Sequence, residues 1–166
     1  MKKTMSRLGF TLIELLIVIT IIGILAVVFL PTVLNAPAKA RDATRKADVS
    51  SVVEAIEASK LDAVAIPASS CVSSLTAATY TKYFGGGIIP NDPTINSSGK
   101  SGKIGTCDTE GKYTYEKYAN GVYGVFADVE SATNGNIDCA AIVKGTGLNA
   151  PAALGTSGEC YGVISQ

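Results

Sequence analysis

The chain has 166 residues, with 14 lysine and arginine residues against 14 aspartate and glutamate residues, and it contains no histidine. This length fits one modest domain, and a net charge of zero gives no overall attraction to nucleic acid or acidic membranes. The absence of histidine excludes a Ser-His-Asp or Cys-His catalytic arrangement. No other catalytic motif is present, so we expect a protein that is not an enzyme and that uses no cofactor.

The first predicted element is an apolar helix that follows a short basic stretch. Lys2, Lys3 and Arg7 precede 20 uncharged residues from Leu15 to Leu34, most of which are Leu, Ile, Val, Ala or Phe. A helix of that length spans roughly the 30 Å of a bilayer core. The positive-inside rule then predicts a cytoplasmic N-terminus and a C-terminal region on the opposite side of the membrane.

Three interpretations of this segment compete. An ordinary signal peptide would explain the basic start and the small-residue sites at 36–38 and 38–40, but its apolar region is typically about 7 to 15 residues long. A plain single-pass anchor fits the length and leaves Glu14 unexplained. Because a carboxylate in an apolar segment is costly unless it is paired or protonated, Glu14 is a candidate functional residue. The alternative is that Glu14 simply reaches water at the membrane interface.

The third interpretation rests on the stretch from Arg7 to Leu16, RLGFTLIELL. It closely resembles the processing site of type IV pilins and type II secretion pseudopilins, whose class III leader is short, basic and ends in glycine. The resemblance implies cleavage between Gly9 and Phe10 by a prepilin peptidase and N-methylation of Phe10. It makes Glu14 the residue of subunit registration, because Glu14 can pair with a neighbour's Phe10 amine only in axial register.

The apolar helix contains two residues that weaken helices, Gly23 and Pro31. Proline removes a backbone donor and clashes with the preceding turn, and glycine inside a helix costs about 1 kcal/mol relative to alanine. The family resemblance implies a helix break here that lets the segment extend inside a filament. A merely kinked membrane anchor is the alternative.

Past Pro37 the sequence becomes amphipathic. Val49, Val52, Val53 and Ile56 recur at helical spacing, which predicts a helix over about 38–62 that continues the apolar one after a bend near Pro31 to Pro37. The charged residues between 39 and 60 are interpreted as a solvated face.

The remaining sequence predicts a small antiparallel sheet. Runs rich in β-prone residues predict strands at 113–118, 122–129, 137–143 and 160–164, and 80–84 reads as a weak strand or a helix end. Asn120-Gly121 is a strong hairpin signal. The expected fold is therefore α+β, with a long N-terminal helix packed on a small antiparallel sheet. The expected divisions are a leader (1–9), a transmembrane and polymerisation helix (10–35), a stalk helix (36–65) and an extracytoplasmic β-rich domain (66–166).

All four cysteines, Cys71, Cys107, Cys139 and Cys160, follow the apolar segment. An even count beyond a membrane helix indicates two disulfides in an oxidising compartment, since no C-x-x-C spacing favours zinc. Pairing of neighbours, Cys71 with Cys107 and Cys139 with Cys160, is favoured among the three possible connectivities. A C-terminal disulfide loop is common in the resembled family, and the sequence leaves the other pairings open.

Several further stretches have features of binding sites or of family motifs. Residues 90–93 (PNDP) and 122–130 loosely resemble the globular regions of pseudopilins, although Thr94-Ile95 stands where secretion pseudopilins often have Trp-Gly. The run 85–87 (GGG) lacks a phosphate-loop signature and is interpreted as a turn. Lys100 and Lys103 form too weak a basic patch to indicate DNA binding on their own. The acidic residues between 128 and 138 do not match an EF-hand, so no metal site is expected.

The sequence therefore predicts a precursor held in the cytoplasmic membrane that becomes a subunit of an extracellular type IV pilus. The resemblance implies a homopolymer, a prepilin peptidase and a pilus assembly platform as partners, with surfaces, other cells or DNA as ligands of the outer face. Two alternatives stay open at this point. One is a pseudopilin of a type II secretion or competence system, and the other is a membrane-anchored binding module that does not polymerise.

Overall fold

The computed structural model describes residues 9–65, 68–75, 78–93, 105–107, 113–131, 133–142 and 159–165. Its helices and strands in chain order are α1 (Leu12–Leu61), β1 (Ser70–Cys71), α2 (Ala78–Thr81), β2 (Thr114–Lys117), β3 (Tyr123–Asp128) and β4 (Cys160–Ser165). Short 3₁₀ turns cover Val72–Ser74, Gly85–Gly87, Ala119–Gly121 and Cys139–Ala141. The expected α+β class, with one long N-terminal helix and a small antiparallel sheet, is confirmed.

The chain divides into two compact units, residues 1–37 and 38–166. The first contains the apolar part of α1, and the second contains the amphipathic part together with the sheet. The helix is continuous at Gly23, Pro31 and Pro37. The family-based break at Gly23 and Pro31 therefore stays a prediction about the assembled state.

The sheet is an antiparallel meander in the order β1-β2-β3-β4. The β2–β3 hairpin closes at Asn120-Gly121, where both residues have positive φ angles of 59° and 78°. Asparagine and glycine tolerate this left-handed conformation better than other residues do, which explains why the sequence signal was strong. The strands pair so that Tyr115 lies opposite Val125, and Val125 lies opposite Val163 on β4.

The second unit buries its core between α1 and one face of the sheet. Val49, Val52 and Ile56 are at most 1% exposed, so the predicted apolar stripe is the packed face of the helix. Side chains of this size stabilise a fold by about 1.5–3 kcal/mol each when fully buried. They pack in one cluster with residues of the sheet and of the segments before it, which include Val72, Leu75, Phe84, Tyr113, Tyr115, Tyr123, Val125 and Ala127.

A second, smaller cluster covers the other face of the sheet. It contains Tyr118, Phe126, Ile137, Ile142 and Cys160. Positions 114, 116 and 118 of the β2 region alternate with 113, 115 and 117, so the two faces have separate sets of side chains. Both faces of this small sheet are thus covered by protein.

One local prediction differs from the structure, and one short strand was not predicted. Residues 137–142 form a single β-bridge from Ile137 to Cys160 and then a 3₁₀ turn instead of a strand, and residue 143 lies outside the described residues. The stretch 80–84 contains the end of the short helix α2 and a turn, which agrees with the helix-end alternative. The two-residue strand β1 was not predicted, because so short a run has no readable alternation.

Candidate functional site: the helix start and a buried charge cluster

The first residues of α1 form a capping box. Glu14 Oε2 accepts hydrogen bonds from the backbone N–H of Thr11 at 2.9 Å and from Thr11 Oγ1 at 2.7 Å. In return, the Glu14 N–H donates to Thr11 Oγ1 at 3.3 Å. A Thr-x-x-Glu sequence just before an apolar helix favours this reciprocal arrangement. Glu14 therefore has a local structural role that the sequence interpretation missed, although the spacing of Thr11 and Glu14 could have revealed it.

The apolar part of α1 is exposed on all sides within its unit. Each Phe, Leu, Ile and Val from Phe10 to Leu34 is at least 50% exposed. The one hydroxyl midway along it, Thr20 Oγ1, donates to the carbonyl of Ile17 at 2.7 Å, so it needs no external partner. Within the described residues, α1 is the helix long and apolar enough to cross a membrane. Such a surface is stable only in lipid or against other apolar helices.

A second feature lies in the amphipathic part of α1, where Arg45 is buried with three carboxylates. Its Nε and Nη2 both bind Asp92, each at 3.0 Å, in a bidentate pair. Its Nη1 donates to Asp42 Oδ1 at 2.7 Å and to Glu130 Oε1 at 3.0 Å. The side chains of Arg45, Asp42 and Asp92 are all at most 4% exposed. We call Asp42, Arg45, Asp92 and Glu130 the charge cluster.

Asp42 ties a loop to the helix through the same cluster. Its carboxylate accepts hydrogen bonds from the backbone N–H groups of Glu130 at 2.9 Å and Ser131 at 3.1 Å. The amide of Asn134 donates to Asp42 Oδ2 at 2.7 Å. Arg45 binds Asp92, and Asp42 binds Glu130, Ser131 and Asn134. Two loops that are distant in sequence are therefore attached to one turn of α1. Charge-assisted bonds of this kind are about twice as strong as neutral ones.

The electrostatics of the cluster follow from this geometry. Burial alone would lower the pKa of Arg45, but hydrogen bonds and charge from Asp92 and bonds from Glu130 and Asp42 raise that pKa above its ordinary value. A hydrogen bond from Arg41, at 2.5 Å, is the main cause that holds the pKa of Glu130 at about 2, and Arg45 lowers it further. Arg45 and Glu130 are therefore both charged at neutral pH.

The cluster corrects the interpretation of the stalk as having a uniformly solvated charged face. Asp42 is 0% exposed and Arg45 is 4% exposed. Helical periodicity placed them among polar positions, but it carries no information about loops that fold over that side. The stretch 90–93, which resembles a pseudopilin motif, contains Asp92, and Asp92 is the bidentate partner of Arg45.

The structure joins Cys71 to Cys107 and Cys139 to Cys160. In each pair the Cα atoms are close, at 4.6 Å and 5.1 Å, which is within the normal range for a disulfide. The first disulfide links β1 to the turn at 105–107, and the second links residue 139 to the start of β4.

The remaining stretches with features of a binding site do not form one within the described residues. Gly86 and Gly87 have φ angles of 70°, which suits a glycine turn. Lys100 and Lys103 lie outside the described residues. Among the described residues, Asp128 lies near Cys139 and Cys160, but these cysteines form a disulfide and have no thiolates to bind a metal.

Comparisons with known proteins give matches to part of the chain. The prokaryotic N-terminal methylation motif matches residues 4–30. The type II secretion system core protein G of Pseudomonas aeruginosa is 41% identical over 59 residues, which cover 36% of this chain and 42% of that protein. The chain thus spans less than half the length of this relative. No solved structure matches the chain.

Proposed function

Because residues 4–30 match the prokaryotic N-terminal methylation motif and part of the chain is similar to a type II secretion core protein, we propose that it belongs to the type IV pilins and type II secretion pseudopilins and is a structural subunit of a type IV pilus. In this proposal residues 1–9 are a leader removed by a prepilin peptidase, and residues 10–35 anchor the precursor in the cytoplasmic membrane and later polymerise. Residues 36–65 form the stalk, and residues 66–166 form the extracytoplasmic domain. An assembly platform moves the subunit into a homopolymer that reaches the cell surface.

The observation that carries the proposal is that the Leu, Ile, Val and Phe side chains of α1 from Leu15 to Leu34 are all exposed. Lipid covers this apolar surface in the precursor, and the helices of neighbouring subunits cover it in a filament. Transfer between these environments changes the burial of apolar area little, so packing and polar pairing decide the geometry of assembly. The two disulfides fit the oxidising side of the membrane, where the second unit would lie.

The capping box assigns different roles to the two carboxylate oxygens of Glu14. Both bonds that it accepts from Thr11 reach Oε2. Oε1 has no partner within the described residues, so it remains available to a cationic group of another chain. Cleavage before Phe10 would leave the Thr11–Glu14 bonds intact and create an α-amine one residue before the cap. In the proposed assembly, Oε2 keeps the helix start ordered while Oε1 accepts the Phe10 amine of an adjoining subunit.

A pseudopilin is the second proposed function, and the similarity to a type II secretion core protein favours it. Against it stands Thr94-Ile95, where secretion pseudopilins often have Trp-Gly after the Asp-Pro pair. Both functions use the same helix and the same processing. They differ in the length and location of the fibre. Electron microscopy of cells with and without the gene tests this, because surface filaments that vanish with the gene identify a pilus, and their presence in both strains contradicts it.

Processing is tested by mass spectrometry of the mature N-terminus. We expect a chain that begins with N-methylated Phe10. An uncut chain would instead indicate a tethered module that does not polymerise. A start at Lys39 or Arg41 would indicate ordinary secretion, and either result contradicts the proposal.

Glu14 is tested by three substitutions that separate charge from capping. Glu14→Ala removes both, Glu14→Gln keeps an amide oxygen for the cap but removes the charge, and Thr11→Val removes the hydroxyl of the cap while keeping the charge. We expect all three chains to be cleaved. Filaments should be absent from both Glu14 variants and present in Thr11→Val, whose loss of about 1 kcal/mol affects only the helix end. Normal filaments from Glu14→Ala would show that Glu14 is not needed for subunit registration.

A further inference from the structure

The strand β4 is an edge of the described sheet and lacks the usual protection of an edge. Its sequence from Cys160 to Ser165, CYGVIS, contains no charged residue and no proline. Uncharged, β-prone edges expose backbone groups that can pair with a strand of another molecule. Many copies of such a strand close together would therefore favour unwanted pairing.

The outward backbone groups of Gly162 are occupied by a side chain. The N–H of Gly162 donates to Asn136 Oδ1 at 2.8 Å, and the Asn136 amide donates to the carbonyl of Gly162 at 2.9 Å. The carboxamide of Asn136 thus offers one acceptor and one donor in the arrangement that a neighbouring strand would offer. Position 162 must be glycine in this arrangement, because a Cβ there would overlap the ring of Phe126.

The segment that carries Asn136 is fastened to the start of β4. The backbone N–H of Asn136 donates to the carbonyl of Cys160 at 2.8 Å, and the N–H of Cys160 donates to the carbonyl of Ile137 at 2.9 Å. The Cys139–Cys160 disulfide then joins the two segments covalently. These contacts cover two successive outward positions of the edge, 160 and 162.

We propose that residues 136–139 form an edge guard, in which the Asn136 carboxamide substitutes for a strand and prevents β4 from pairing with β4 of a second copy. The next outward position is Ile164, whose outward backbone groups have no partner within the described residues. With the guard removed, positions 162 and 164 together offer a run of free backbone groups long enough to start antiparallel pairing. The partner is a second copy, because an identical uncharged edge meets no charge repulsion. The edge guard concerns the second unit and does not depend on the role proposed for the helix.

The test uses the full-length chain in detergent micelles, with Asn136→Asp as the main variant. A carboxylate keeps the acceptor for the Gly162 N–H but cannot donate to its carbonyl, and Asn136→Ala removes both bonds. The control is Asn120→Asp, which makes the same chemical change at an exposed turn away from β4. Amide hydrogen exchange by NMR is read at Gly162 and, as an internal reference, at Phe126 on the central strand β3, while sedimentation reports the oligomeric state.

We expect the Gly162 amide of Asn136→Ala to exchange about tenfold faster than in the control, as loss of one hydrogen bond of ordinary strength implies. The Phe126 amide should stay protected, and both Asn136 variants should form dimers whose fraction rises with concentration. Unchanged exchange at Gly162 in Asn136→Ala would overturn the proposal. So would faster exchange with no added dimer, since the bonds would then not guard the edge, and so would equal loss of protection at Phe126, since the effect would not be local.

Discussion

The prediction with the largest expected effect is the replacement of Arg45 by methionine. Methionine is of similar length and removes the charge, so Asp42 and Asp92 would stay buried without their shared cation. Arg45 makes four hydrogen bonds to three carboxylates, two of which are almost fully buried. Removal of one partner from a buried ion pair destabilises a protein by about 3–5 kcal/mol, mainly because the remaining charge is uncompensated.

That loss is a large share of the total stability of a unit of this size. Folded domains are stable by about 5–15 kcal/mol, so a loss of about 3–5 kcal/mol in Arg45→Met would remove roughly a fifth or more of the free energy of unfolding. At about 4 °C per kcal/mol, Tm would fall by roughly 15 °C.

The assay is thermal unfolding of the full chain in detergent, followed by near-ultraviolet circular dichroism. The buried rings of Tyr113, Tyr115 and Tyr123 report the packing of the second unit and not the helicity of α1. Lys39→Met is the matched control, because it makes a similar change at an exposed position of the same helix. If Arg45→Met unfolds within about 3 °C of this control, the argument that the cluster stabilises the unit is wrong.

Two further predictions concern the second unit. The pKa of Glu130 is about 2 in the folded state against an ordinary 4.5, chiefly because of the bond from Arg41. Its contribution to the free energy of unfolding, at most about 3 kcal/mol, is therefore present above pH 4.5 and lost as the pH falls from 4.5 to 2. The free energy of unfolding should fall less steeply with decreasing pH in Glu130→Gln than in the wild type. Equal slopes would contradict this. Gly105→Ala should destabilise by about 3 kcal/mol in denaturant unfolding, because it adds a Cβ against the carboxylate of buried Glu116 at a φ of 56°. Gly86→Ala has a φ of 70° and nothing within 4 Å, so it should cost only about 1 kcal/mol, and equal losses at both positions would refute the crowding argument.

The sequence was most informative where a local pattern is sufficient. The apolar run predicted the helix, and the motif from Arg7 to Leu16 indicated the resemblance to type IV pilins and pseudopilins, without any tertiary contact. The spacing of Val49, Val52 and Ile56 identified the packed face of α1, and Asn120-Gly121 identified the hairpin. Each of these depends on residues a few positions apart, and backbone geometry relates such positions in a known way.

The sequence was least informative about 137–142. Its apolar composition predicted a strand, but these residues form one bridge and a 3₁₀ turn beside β4. The Cys139–Cys160 disulfide and the hydrogen bonds of the Asn136 side chain attach this segment to β4 in place of a continuous set of strand-to-strand hydrogen bonds. A propensity for strand formation describes fit to a pleated surface, and it does not specify whether a full partner strand is present.

The amino-acid sequence by itself determined the order of the chain: a basic start, a membrane-length helix with Glu14 at its entrance, an amphipathic continuation and a short-stranded C-terminal region. The tertiary structure alone decided which polar residues are buried. Asp42 and Arg45 resemble their solvated neighbours in sequence, and they become a buried cluster because Asp92 and Glu130 reach them from 47 and 85 residues away along the chain, measured from Arg45. The cost of burying a charge depends on which partners surround it, and partners so distant in sequence come together only when the chain folds.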